Sequence, residues 1–187
     1  FAPPVYPGAV CRHVILDRVL QDHSPRVTVL QGPAGHGKST TLQQIKTAHE
    51  ARGWRTAWLT LDDADNDPTR FESHLRALVQ LLQAGGAGPQ PGRTAQGDAP
   101  RALIDWLLDR LAAIDTHASI FLDEFQALRN EALLRFFRTL LPRLPAHVHF
   151  YIGSRALPEI GLATLLVNRQ ACVLRADDLR FTPGEAT

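Results

Sequence analysis

The sequence predicts an α/β fold, a three-layer sandwich in which helices cover both faces of a mainly parallel sheet of five strands. Short apolar runs alternate along the chain with helical segments of about ten to fifteen residues, which is typical of βαβ units. The runs are apolar at consecutive positions, as expected for strands that are buried on both faces.

The composition fits one ordinary globular domain. The chain has 187 residues, of which 44% are hydrophobic and 21% charged, and its formal net charge is +1. A charge this small gives no overall field that would attract nucleic acid or an anionic membrane. No apolar stretch approaches the ~18 residues that cross a bilayer. We therefore expect one domain over residues 1–187, without membrane or direct nucleic-acid contact.

Two further features of composition concern the origin of the chain. Cys11 and Cys172 are too few and too far apart for a disulfide framework, which favours a reducing, cytoplasmic compartment. The sequence contains no methionine, even at position 1, so we expect a fragment of a larger multidomain protein.

The expected elements follow in chain order. A proline-rich arm at 1–8 precedes a short helix near 14–20. Strands are expected at 27–30, 56–61, 119–122, 148–152 and 172–174. Longer helices are expected at 38–52, from 68 to about 82, around 103–114 and around 133–144. Gly53 is a stop signal, and Asp67 with Pro68 is a start signal. The glycine- and proline-rich stretch 85–100 predicts a flexible loop within the domain.

Polar residues follow the first four predicted strands. These ends are Gln31 with Gly32, Asp62 with Asp63, Asp123 with Glu124, and Gly153 with Ser154 and Arg155. Ligands of open parallel sheets bind beyond the carboxyl ends of the strands. The chain order therefore predicts that polar chemistry collects at one edge of the sheet.

Residues 32–40 match the phosphate-binding pattern G-x-x-x-x-G-K-[ST] between a predicted strand and a predicted helix. Glycines let successive N–H groups face one concavity, and the helix dipole that begins there attracts anions. The expected nucleotide contacts are Gly32, Gly35, His36, Gly37, Lys38, Ser39 and Thr40. Lys38 would reach the β- and γ-phosphates, Ser39 would bind Mg²⁺ and Thr40 the α-phosphate. His36 would contribute only its N–H. The alternative is a glycine-rich turn with a surface lysine.

Asp123 and Glu124 end an apolar strand, about 80 residues after the phosphate loop, where a magnesium-side carboxylate is expected. Asp123 would hold Mg²⁺ largely through water. Glu124 would orient or deprotonate the attacking water. The alternatives are an acidic turn of purely structural origin and, for Glu124, an ion pair with an arginine of the next helix.

Three other charged groups admit two interpretations each. Arg155 would sense the γ-phosphate or stabilise transition-state charge, or it is a solvated arginine in a turn. The acidic stretch 62–67 has almost the density of a calcium loop, but it lacks the glycine and distal glutamate, so helix capping is favoured. The arginines at 129, 135, 138 and 143 form a solvated helix face or a docking patch for a partner.

Several segments together resemble the large ATP-binding LuxR-type activators related to MalT, which are signal-transduction P-loop ATPases. The segments are the phosphate loop and residues 10–12, 58–71, 122–125, 153–158 and 179–186. The resemblance implies a switch that holds ADP at rest, exchanges it for ATP and then oligomerises. It also implies downstream winged-helix, helical-repeat sensor and DNA-binding helix-turn-helix domains, and an adenine contact near Arg12.

We therefore expect an ATP/ADP-binding switch domain that uses Mg²⁺ and hydrolyses ATP slowly. The alternatives are a stand-alone P-loop ATPase or kinase that turns over as an enzyme, and a degenerate nucleotide-binding scaffold. Without a domain closing over the nucleotide, the fragment should be a monomer that binds nucleotide in the micromolar range or more weakly, roughly −8 kcal/mol at best.

Overall fold

The structure is a computed structural model that describes residue 3 and residues 11–20, 24–83 and 100–179. Within these residues, one five-stranded sheet has the strand order β2-β3-β4-β1-β5, and every neighbouring pair is parallel. The strands are β1 (Val27–Gln31), β2 (Arg55–Thr60), β3 (Ala118–Asp123), β4 (Val148–Ser154) and β5 (Ala171–Leu174). The predicted α/β fold with a mainly parallel sheet is confirmed.

The α-helices are α1 (His13–Val19), α2 (Lys38–Ala51), α3 (Pro68–Gln83), α4 (Pro100–Ala112), α5 (Glu131–Leu140) and α6 (Leu162–Val167). Short 3₁₀ helices cover Asp63–Asn66, Phe125–Ala127 and Leu141–Arg143. The predicted helix over 133–144 ends as an α-helix at Leu140, because Pro142 cannot donate the next helical hydrogen bond. The predicted loop at 85–100 lies, up to residue 99, outside the described residues.

Apolar side chains pack on both faces of the sheet. In β3, Ile120 and Leu122 join the cluster covered by α3, α4, α5 and α6, whereas Phe121 joins the cluster covered by α1 and α2. Alternate residues of a strand point to opposite faces, so a strand buried on both sides needs apolar residues throughout. The predicted three-layer sandwich is confirmed. No helix in the described part of the chain is long and apolar enough to cross a bilayer.

An aromatic and imidazole cluster lies at the amino-terminal edge of the sheet. His49, fully buried at the end of α2, has its Nδ1 atom 2.6 Å from the Ser119 hydroxyl. The Trp54 ring stacks on His49 at 4.0 Å and on His117 at 4.6 Å, and lies 5.1 Å from His149. Burial lowers the pKa of His49 to about 3, and the positive charges of His149, Arg52 and His117 act in the same direction.

This cluster predicts loss of stability in acid. The unfolded chain binds a proton on His49 near pH 6.5, whereas the folded chain binds it only near pH 3, so stability falls as the pH falls through that window. At pH 5 the cost is about 2 kcal/mol, from roughly 1.5 pH units at 1.36 kcal/mol each. Urea unfolding at pH 7.5, 6 and 5 measures the slope. His49→Gln should flatten it and His13→Gln, at an exposed site, should not; equal slopes in all three proteins would contradict the account.

Candidate nucleotide-binding site

The carboxyl ends of β1, β3 and β4 meet at one edge of the sheet. β4 lies between the other two strands, and Leu122 of β3 is opposite Ile152 of β4. The backbone N–H of Gly32 donates to the Ser154 carbonyl (3.1 Å), which ties the phosphate loop to the end of β4. The phosphate loop, the pair Asp123 and Glu124, and Arg155 therefore follow strands that end at the same edge, as the sequence predicts.

Two glycines give the phosphate loop its path. Gly35 and Gly37 have φ of 80° and 74°, in the left-handed region that side chains with a Cβ disfavour. A Cβ at either position would have no heavy atom within 4 Å. Glycine is therefore required at these positions by the backbone conformation, and there is space for a side chain. No backbone hydrogen bond from the N–H groups of residues 35–37 is found within the described ranges. These donors precede the first turn of α2, which suits them to bind an anion.

Lys38 begins α2 and is the cation of the site. The residue is only 5% exposed, and its Nζ atom donates to the Pro33 carbonyl at 2.9 Å. Burial lowers the pKa of Lys38, while the charges of Glu124 and Asp123 oppose that shift. A lysine held beside the free N–H groups of its loop is placed to bind phosphate as a point charge.

Asp123 is a buried carboxylate, 2% exposed, at the end of β3. The Glu124 N–H donates to its Oδ1 atom at 2.9 Å, and the side chain of Ser39 lies near enough to influence its pKa through a hydrogen bond. Burial raises the pKa of Asp123, and these two hydrogen bonds together with the charge of Lys38 oppose the shift. Ser39 and Asp123, predicted as metal ligands from separate segments, are therefore neighbours at this edge of the sheet.

The donor set of this pair fits Mg²⁺. Both side chains offer hard oxygen atoms, and Mg²⁺ is commonly held by one or two protein oxygens while it keeps several waters. In the part of the chain that the structure describes, no group of three or more His, Cys, Asp or Glu residues is arranged to hold a metal. A metal held by Ser39 and Asp123 would take its remaining ligands from phosphate and water.

Glu124 follows with a left-handed backbone, φ 54°, which is uncommon for a residue other than glycine. One of its carboxylate oxygens accepts hydrogen bonds from the Arg155 guanidinium (3.1 Å) and from the Gln126 side chain. The alternative of an ion pair with an arginine of the next helix does not match this arrangement, because Arg155 follows β4. The Glu124 side chain is 32% exposed, so it borders solvent at the edge of the site.

Gln126 is a site residue that the sequence did not reveal. Its side-chain oxygen accepts from the Arg155 N–H at 2.9 Å, while its amide donates to Glu124. It thus links the two candidate catalytic residues. No motif signals a glutamine in this role, because its contacts depend on the 3₁₀ turn after β3.

The remaining predicted contacts lie around the loop. Thr40 is half-buried in the first turn of α2, and exposed His36 has Nδ1 3.3 Å from the Ala34 carbonyl. Arg12 is buried, its guanidinium donates to the Leu179 carbonyl and its N–H donates to the Gln44 side chain at 2.9 Å. These contacts join the segment before α1 to α2 and to the residues after β5. The nucleotide contact of Arg12 stays a prediction.

Two other predictions concern charged groups outside the loop. The capping interpretation of 62–67 is confirmed, since Asp62 and Asp65 form a reciprocal capping box on the 3₁₀ helix that follows β2. On α5 and the turn after it, Arg138 pairs with Glu131 and Arg143 pairs with Asp105. These are exposed ion pairs, as expected of a solvated face.

Comparison with protein families and curated proteins finds similarity to an NTPase family and to transcriptional regulators. Residues 7–83 match a family described as Novel STAND NTPase 5. The chain is similar to HTH-type transcriptional regulators MalT from Yersinia enterocolitica (31% identity, 92% of this chain), Serratia proteamaculans (30%, 96%) and Cronobacter sakazakii (28%, 95%). The predicted resemblance is confirmed. The chain spans only 19% to 20% of the length of these three relatives.

Solved structures bear on the fold. The chain is similar to the Orc1 protein of Aeropyrum pernix, in a structure with DNA (TM-score 0.55, 18% identity, covering 92% of this chain and 46% of that one). It is also similar to Cdc6p of Pyrobaculum aerophilum (TM-score 0.55, 17% identity, 91% and 47%). At these identities the likeness concerns the fold alone.

Proposed function

We propose that this chain is the ATP/ADP-binding switch domain of a MalT-type transcriptional regulator. The observation that carries the proposal is that the phosphate loop, with its buried Lys38, and the buried Asp123 at the end of β3 lie at one edge of the sheet, where the Gly32 N–H donates to the Ser154 carbonyl. A glycine-rich turn with a surface lysine would leave Lys38 exposed and would have no reason to meet a buried carboxylate. The similarity to MalT regulators over almost the whole chain supports the regulatory role.

Separate residues of this site would bind the phosphates, hold the metal and act on the attacking water. The N–H groups of the loop and Lys38 bind the phosphates, and Ser39 with Asp123 would hold Mg²⁺. When bound, Mg²⁺ would neutralise phosphate charge and orient the β- and γ-phosphates. Glu124 is placed to accept a proton from a water molecule, and Arg155 to contact negative charge on the γ-phosphate.

The resting position of Glu124 supports slow hydrolysis. One carboxylate oxygen is shared by Arg155 and Gln126, so the base is engaged by two donors before any water is oriented. Rapid turnover would require these contacts to rearrange in each cycle. A switch needs only that the nucleotide state persists long enough to be read, which favours the switch over the turnover enzyme.

The proposal extends to the whole regulator. Downstream winged-helix, helical-repeat sensor and DNA-binding helix-turn-helix domains would make the contacts with inducer and DNA, in the cytoplasm. The chain itself, over 1–187, would be one monomeric nucleotide-binding domain with no nucleic-acid or membrane contact of its own.

Hydrolysis kinetics distinguish the two functional candidates. Mixing ATP with excess protein and Mg²⁺ should release phosphate in one slow phase, well below the ~10 s⁻¹ typical of turnover enzymes. With excess ATP, the steady rate should stay as slow. Rapid multiple turnover, or transfer of the phosphoryl group to an added acceptor, would instead support the stand-alone ATPase or kinase.

Arg155→Ala tests the sensing role. Because only ATP offers a γ-phosphate, the variant should bind ATP about tenfold more weakly and ADP almost unchanged, as expected for one charge-assisted hydrogen bond. Arg135→Ala, at an exposed position of α5, is the matched control and should change neither affinity. Parallel calorimetric titrations give both affinities. An equal loss for ADP and ATP would remove Arg155 from γ-phosphate recognition.

A further inference from the structure

We propose that Gly153 is a positioning residue for the metal-side carboxylate, because only a residue without a side chain leaves room for Asp123 where it lies. This inference rests on the proposed function of Asp123. Gly153 is the penultimate residue of β4, and Leu122 and Ile152, which precede Asp123 and Gly153, are paired across the sheet.

The reason for glycine at this position differs from that in the phosphate loop. Gly35 and Gly37 have left-handed backbones and open space around them, whereas no left-handed φ occurs at Gly153. A Cβ there would lie 2.6 Å from Asp123 Oδ1 and 2.8 Å from Leu42 Cδ1. Both distances are shorter than Cβ contacts allow, so crowding, and not backbone conformation, requires glycine at this position.

Neither neighbour can move aside freely. Leu42 is fully buried in α2, and Asp123 is 2% exposed. Leu42 can relieve its clash only by a change of its side-chain torsion angles within the packed core. Asp123 cannot rotate without breaking the hydrogen bond that its Oδ1 atom accepts from the Glu124 N–H. A methyl group at position 153 therefore acts on the one carboxylate that the proposed metal contact needs.

Gly153→Ala should weaken nucleotide binding only where that binding depends on Mg²⁺. None of the three atoms nearest to a Cβ at position 153 belongs to the phosphate loop. The loop of a Gly153→Ala variant should therefore keep its ADP affinity in the absence of metal to within about threefold. The tightening of ATP and ADP binding that Mg²⁺ produces should shrink by about tenfold, equivalent to one lost ligand contact of roughly 1.4 kcal/mol. A merely structural defect would weaken binding equally with and without metal.

The experiment is a set of calorimetric titrations of ADP and ATP with and without Mg²⁺ for wild type, Gly153→Ala, Asp123→Asn and the double variant. We expect both single variants to lose the Mg²⁺ effect and the double variant to lose no more, because both changes act through one carboxylate. If Gly153→Ala folds poorly, the clash with Leu42 can be removed by combining it with Leu42→Ala. This combined variant should still lose the Mg²⁺ effect when it is compared with Leu42→Ala alone.

Two outcomes are distinguishable. A full Mg²⁺ effect in folded Gly153→Ala, together with its loss in Asp123→Asn, would overturn the role of Gly153 and leave the proposed function intact. No Mg²⁺ effect in wild type would overturn the metal role of Asp123 itself, and with it this inference.

Discussion

Lys38→Ala should abolish nucleotide binding in the concentration range where wild type binds. The lysine supplies a charge-assisted hydrogen bond to phosphate, worth about 1.5–3 kcal/mol. Loss of Lys38 should weaken nucleotide binding for a second reason, because its positive charge lies close to the negative charges of Glu124 and Asp123. Without it, the Asp123 carboxylate would face the phosphates with one cation fewer nearby, while Glu124 keeps Arg155 as its ion-pair partner. We therefore expect a loss above ~10²-fold, because the two effects add.

Lys46→Ala is the matched control for this prediction. Lys46 lies in the same helix, two turns on, and pairs with Glu50 at 2.5 Å, away from the loop. Its removal should leave ADP and ATP affinity unchanged. Calorimetry that finds wild-type affinity in Lys38→Ala would show that nucleotide, if bound, lies elsewhere.

Glu124→Gln should keep Mg²⁺-ATP binding and slow hydrolysis by roughly 10²-fold or more, the usual scale for a positioned general base. Glutamine preserves the size of the side chain and still offers an oxygen to the Arg155 guanidinium. It cannot accept a proton from water at neutral pH. The change therefore removes the proposed chemistry while it disturbs the local hydrogen bonds little.

Single-turnover phosphate release measures this effect separately from product release. Glu131→Gln is the control, because this exposed glutamate forms its ion pair with Arg138, within α5. Equal single-turnover rates in wild type and Glu124→Gln would assign Glu124 a structural role, with Arg155 as its ion-pair partner.

The sequence predicted much of the fold because the buried strands have a simple signature. A strand covered on both faces is mostly apolar at consecutive positions, and the runs at 27–30, 119–122 and 148–152 each have a single polar residue among apolar ones. Strand order carries no local signature, so β4 between β1 and β3 could not be predicted. The six-residue helix α6 was missed because it buries only Leu162 and Leu165, too few to show a period.

The candidate site was predictable where a motif spans consecutive residues. Residues 32–40 and the pair at 123 and 124 belong to such motifs, and parallel topology brings them to one edge. Gln126 and Gly153 were missed for a shared reason. Each acts through a contact between segments, with Arg155 or with Asp123, and such contacts leave no pattern along the chain. The buried His49 was missed in the same way, since Ser119 is 70 positions away.

Titration of Mg²⁺-ADP and Mg²⁺-ATP into the wild-type chain tests the central claim most directly. The account predicts saturable binding of one nucleotide per chain, with a dissociation constant in the micromolar range or weaker, roughly −8 kcal/mol at best. It also predicts weaker binding when Mg²⁺ is removed. The absence of saturable binding up to millimolar nucleotide, or binding that persists unchanged in Lys38→Ala, would contradict the account.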